Sequence, residues 1–148
     1  MRKDSRLSRM LHVLLHMSYV NKPLTSQQIA EMIGTNSVVV RRTMGCLKKK
    51  GYVQSEKGHY GGWVLSCDLD EISLYDIYQS VGKAALFTIS AEIYNRQCLV
   101  ETLVNVAIGN LLKETELALI EKLKAQKLSD LARIFALKAG ENLCTTKQ

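Results

Sequence analysis

The sequence predicts a mainly α fold that carries one small β-hairpin, and three observations support that expectation. Apolar residues recur at helical spacing along most of the chain. Two short alternating runs, YVQSE and WVLSC, flank the glycine-rich segment KGHYGG. The single proline, Pro23, stands between two helical patterns and not inside one. At 148 residues the chain is long enough for one well-filled core, or for a small domain with a helical segment appended. We expect the boundary at residue 82, with 1–82 as the first unit and 83–148 as a helical region.

Each element has a local cause. Leu7, Met10, Leu11, Leu14 and Leu15 keep helical spacing, and that pattern runs out at Asn21-Lys22-Pro23. In LTSQQIAEMIG, Thr25 reads as an N-cap with Gln28 three residues on, a capping-box pattern. Ile29, Met32 and Ile33 follow, and Gly34 stops the helix. Asn36 or Ser37 caps a third helix that runs to Gly51, with three lysines at the end that suits cations. After the hairpin, residues 98–125 hold the longest helical pattern, and LSDLARIFAL gives a last short helix with Ser129 near its start.

Composition excludes several classes. With 47% hydrophobic and 23% charged residues, the balance is that of an ordinary globular chain. No uninterrupted apolar run approaches the roughly 18 residues that a membrane helix requires. Polar and histidine residues break the apolar part of the N-terminus and no small-residue cleavage site follows, so it reads as a first helix and not a signal. Cys46, Cys67, Cys98 and Cys144 lie too far apart for a disulfide framework or a CxxC metal site, which points to a reducing cytoplasm. Cys46 and Cys67 are expected to be structural, and Cys144 sits in a polar tail. His12 and His16 have the i, i+4 spacing of a metal pair but lack an obvious third ligand, so they are expected to line a surface or interface. No nucleophile elbow, phosphate loop or dinucleotide fingerprint is present, and no enzyme, metal or cofactor is expected.

Charge is unevenly placed. Residues 1–66 carry eleven Lys and Arg against Asp4, Glu31 and Glu56, a balance of +8, while residues 67–148 carry nine against eleven acids, a balance of −2. Such a surplus suits a polyanionic partner, although a solvated basic face would look the same.

The third helix adds geometry to that charge. At about 100° per residue, Val40, Thr43, Met44 and Leu47 fall on one side, while Val38, Arg42, Gly45 and Lys49 point the other way and Arg41 flanks them. Two helices joined by a turn of about four residues, the second with a basic outer face, form a helix-turn-helix. On that reading the partner is double-stranded DNA. Arginine forks onto guanine O6 and N7 or onto phosphates, and valine methyls pack on thymine methyls. Gly45 lets the backbone approach the duplex, and Lys49 meets a phosphate. The hairpin loop, with Lys57, His59 and Tyr60 among Gly58, Gly61 and Gly62, becomes a wing. The expected DNA-binding set is Ser37, Val38, Arg41, Arg42, Gly45, Lys49, Lys57, His59 and Tyr60. The bland alternative is that the valines are core and the arginine pair is solvated, and we accept it for Val40.

Together, LTSQQIAEMIGTNSVVVRRTMGCLKKKGYVQSEKGHYGGWVLSCDLDEISLYDIYQSV resembles the winged-helix module of the Rrf-two family of bacterial regulators, which includes IscR, NsrR and CymR. The resemblance covers residues 1–82 by motif and the rest by architecture, and the NSVVVRR run is similar to the YwnA-like branch. It implies a homodimeric transcription factor, usually a repressor, whose long C-terminal-half helix builds the dimer. It also places Val38, Arg41 and Arg42 on the recognition helix and Lys57 to Gly62 on the wing. Cluster-binding members place three closely spaced cysteines after the fourth helix, whereas this chain supplies Cys98 alone. One thiolate does not hold a cluster of the four-ligand kind, so a cluster is not expected. Cys98 beside Arg96 is a candidate redox thiol, or else a small buried residue at a helix start.

The long helix carries Leu103, Val104, Ile108, Leu111, Leu112, Leu119 and Leu123 as an apolar stripe broader than a small winged helix buries. We expect Val104, Ile108, Leu111, Leu112 and Leu119 to form the dimer contact, with part of the stripe packing within the chain. The alternative function is a winged-helix interaction scaffold that has lost DNA binding, against which the basic helix and wing argue. A thiol-based peroxide enzyme using Cys98 lacks a recognisable general base.

Overall fold

A computed structural model describes residues 4–83, 86–87 and 97–139. Six helices and one two-stranded sheet follow in the order α1 (Arg6–Val20), α2 (Ser26–Ile33), α3 (Ser37–Lys49), β1 (Val53–Glu56), β2 (Gly62–Leu65), a 3-10 turn (Leu69–Glu71), α4 (Leu74–Ser80), α5 (Leu99–Ala125) and α6 (Leu128–Ala139).

Helix ends sit where short-range hydrogen bonds stop the chain. Asn21 turns left-handed at the end of α1, with φ 48°. The capping box on α2 is formed: Thr25 Oγ1 accepts from the Gln28 amide at 3.2 Å, and Gln28 Oε1 accepts from the Thr25 amide at 2.9 Å. Gly34 closes that helix at φ 65°. Asn36 caps α3, its Oδ1 accepting from the Val39 amide at 2.9 Å. Helix α3 ends at Lys49, two residues short of the expected Gly51, because Lys50 takes the cap and Gly51 turns left-handed beyond it. Ser73 and Asp76 form a second capping box at the head of α4.

The core lies between α1, α2, α3 and α4. Leu14, Ile29, Met44, Leu47, Ile72 and Ile77 are fully buried in it, each contributing roughly 1.5–3 kcal/mol by leaving water. The strands pair antiparallel with Val53 opposite Leu65 and Glu56 opposite Gly62. The hairpin is tied down by a second pairing, in which Leu24 and Trp63 exchange backbone hydrogen bonds at 3.1 and 2.8 Å. The indole Nε1 of Trp63 also donates to Ser26 Oγ at 2.9 Å.

After α5 the chain returns. The Leu74 amide donates to the Gln126 carbonyl at 3.0 Å and the Leu128 amide to the Ile72 carbonyl at 2.9 Å, which seats Leu128 in the same core. Helix α6 packs on α1, with Tyr19 and Phe135 in an edge contact at 5.5 Å between ring centroids. No helix among the described residues is long and apolar enough to cross a membrane.

One cysteine departs from expectation. Cys46 is exposed on α3 and is not a packing residue, because the buried side of that helix is filled by Val40, Met44 and Leu47. Cys67 is partly buried, its thiol donating to the Tyr52 carbonyl at 3.8 Å. Burial raises that thiol above its ordinary range, and Glu71 and Asp68 add to the shift.

Candidate nucleic-acid interface

Three buried residues set the direction of α3. Val40, Met44 and Leu47 anchor it to the core, so its opposite side faces solvent. Val38 is 65% exposed there, and Arg41, Arg42 and Lys49 are exposed with it. Ser37 is half-buried at the helix start, and Thr43 is half-buried beside the anchors. Val39, which the helical projection leaves unassigned, is 48% exposed.

Gly45 lies in the same outward strip, and a Cβ built on it meets nothing within 4 Å. The chain's own packing therefore does not demand glycine there. Glycine in a helix interior costs about 1 kcal/mol relative to alanine, so its presence is unexplained by the fold itself.

The wing stands against one flank of α3. Lys48 Nζ donates to Ser55 Oγ on β1 at 2.7 Å. At the loop, Gly58 has φ 111°, and Tyr60 is 88% exposed with its ring edge-on to His59 at 5.0 Å. Lys57 is exposed beside them. A Cβ on Gly62 would fall 2.7 Å from the Leu24 backbone, so the hairpin crosses the turn before α2 at glycine distance. The structure thus brings a basic helix face and a polar hairpin tip together on one frame.

The long helix is a separate surface. Helix α5 has no buried residue. Val104 is 50% and Leu111 is 64% exposed, while Ile108, Leu112 and Leu119 are half-buried. Leu99, Val100, Val106 and Leu117 are also exposed and widen the apolar surface beyond the expected stripe. Cys98 precedes α5, with a thiol that makes no capping hydrogen bond. Arg96 and Cys144 lie outside the described residues.

On α1, His12 and His16 lie with ring centroids 4.7 Å apart. Burial lowers His16 below the usual histidine range, with His12 adding to it. No group of three or more His, Cys, Asp or Glu among the described residues could hold a metal.

A helix-turn-helix with an exposed basic second helix and an anchored glycine-rich hairpin defines a winged-helix nucleic-acid-binding module. The family model for Rrf2, described as iron-dependent transcriptional regulators, matches residues 4–134, and the chain belongs to this family. It is a regulator and not an enzyme. The chain is 31% identical over 127 residues to YwnA of Bacillus subtilis, named as an HTH-type transcriptional regulator, covering 86% of this chain and 94% of that one. The fold is similar to that of T. potens IscR, with TM-score 0.63 and 16% identity over 100% of this chain and 94% of the other. It is also similar to CymR, the global cysteine regulator of B. subtilis, with TM-score 0.57 and 20% identity over 90% and 98% of the two chains.

The family description invokes iron, and the described donors do not fit it. Cys46, Cys67 and Cys98 stand on α3, behind β2 and at the head of α5. No two of them share an element, whereas a cluster needs several thiolates converging on one site.

Proposed function

We propose that this chain is a cytoplasmic, homodimeric repressor that binds a palindromic DNA operator and works without an iron–sulfur cluster. Residues 1–82 read DNA and residues 83–148 hold the partner chain. The observation that carries this reading is the outward strip of α3. Val38, Arg42 and Lys49 are exposed around a glycine that the fold does not need, beside a wing tied to the same frame.

Arg41 and Arg42 read base edges or clamp phosphates, Ser37 and Val38 meet the duplex at the helix start, and Lys49, Lys57, His59 and Tyr60 contact its backbone. One module buries few base contacts, so specificity requires two, held about 34 Å apart or a multiple of that. Val104, Ile108, Leu111, Leu112 and Leu119 on α5 supply the pairing surface. The test is selection of bound duplexes from a random library with the purified protein. A two-fold symmetric motif with half-sites one or more helical turns apart is expected. Recovery of unenriched DNA would reject the reading in favour of an interaction scaffold.

A further inference from the structure

We propose that the DNA surface extends onto α1, where Arg9 clamps a backbone phosphate on the flank of α3 opposite the wing. This rests on the DNA-binding reading above. The flanks of α3 are fixed by what touches them. Lys48 reaches Ser55 of β1, which puts the wing on one side. Val39 and Thr43 border a small cleft with Arg6, Arg9, Met10 and Thr35 on the other. Lys48 lies five and nine residues from Thr43 and Val39, so at about 100° per residue these flanks stand on opposite sides of the outward strip.

A helix about 10–12 Å across fills a major groove of about 12 Å, so its two flanks meet the two phosphate rows that border the groove. The wing addresses one row, and a cation on the α1 side would suit the other. Among the described residues Arg6 and Arg9 stand there, and Arg9 is the one free to serve. Arg6 is committed, with Nη2 on Asp4 at 2.6 Å and Nη1 donating to the Val81 carbonyl at 3.1 Å. The Arg9 side chain is exposed and has no hydrogen bond or ion pair among the described residues. Its planar fork suits a phosphate. The cleft holds about 50 Å³, far below the roughly 300 Å³ of a small-molecule pocket, so an effector does not compete for this assignment.

Arg9→Ala tests it, with Lys49→Ala as the comparison and thermal melting to confirm the fold. Arg9→Ala should weaken the operator and an unrelated duplex by the same factor. It should also flatten the dependence of log affinity on log salt by about 0.9 for each phosphate that the variant no longer neutralises. Phosphate ethylation interference should lose one position per half-site, on the rim away from the wing. An unchanged slope and interference pattern in Arg9→Ala, while Lys49→Ala lowers the slope, would overturn the assignment. Absence of salt-dependent duplex binding by the unmodified protein would instead overturn the DNA-binding reading, and this inference with it.

Discussion

Gly45 is a glycine that the fold itself does not need. It sits inside α3 with open space where a Cβ would project. Gly45→Ala should therefore raise stability by up to about 1 kcal/mol, read as a higher denaturation midpoint. If the duplex approaches the backbone there, the same variant should bind the operator more weakly. Stabilisation with unchanged affinity would remove Gly45 from the interface. His16 offers a second single-residue test. Its folded pKa is lowered by burial and by His12, so the unfolded chain takes up a proton more readily. Stability should fall as pH drops through the unfolded histidine value of about 6.5, and the fall should end below the lowered folded value. His16→Gln should flatten the melting temperature between about pH 7.5 and 5.5, and an unaltered slope would contradict this.

At the scale of elements, the wing is held by contacts made across the chain. Leu24 pairs with Trp63, Trp63 donates to Ser26, and Gly62 lets the two backbones meet. Gly62→Ala would push a Cβ against backbone that cannot yield, costing roughly 1–3 kcal/mol. It should also loosen the wing, so operator affinity should fall more than in Lys57→Ala. Equal stability to the unmodified protein by denaturant titration would refute the close crossing.

These contacts mark what the sequence discloses and what it does not. The helix ends at Asn21, Gly34 and Asn36, and the capping box of α2, are legible because each is settled by hydrogen bonds within about three residues. The buried side of α3 is legible from its period. The wing anchor, the return of Leu128 to the core and the placing of Arg9 beside α3 are not. They join residues tens of positions apart, and no local pattern encodes such pairs. Cys46 defeats the expectation of a structural role, because its position on the exposed side of the helix, and not its residue type, decides its surroundings. The DNA-reading role proposed for α3 comes from the likeness to the regulator family, because periodicity alone leaves it open.

At the scale of the molecule, the proposed dimer makes α5 the element that holds two modules together. It runs for 27 residues, about 40 Å, with none of them buried among the described residues. Its exposed apolar residues are the surface that the proposed dimer would cover. In a two-fold interface Leu111 contributes twice, so Leu111→Glu removes two burials of about 1.5 kcal/mol each and should weaken dimerisation by roughly a hundredfold. The variant should keep weak, salt-sensitive DNA binding and lose operator specificity.

If two chains together read one palindrome, sedimentation of the protein with and without the selected operator duplex will show it. A free species of twice the 16.6 kDa chain mass at micromolar concentration is expected, with two chains per duplex at saturation. A free monomer that binds the palindrome tightly as one chain per duplex would contradict it.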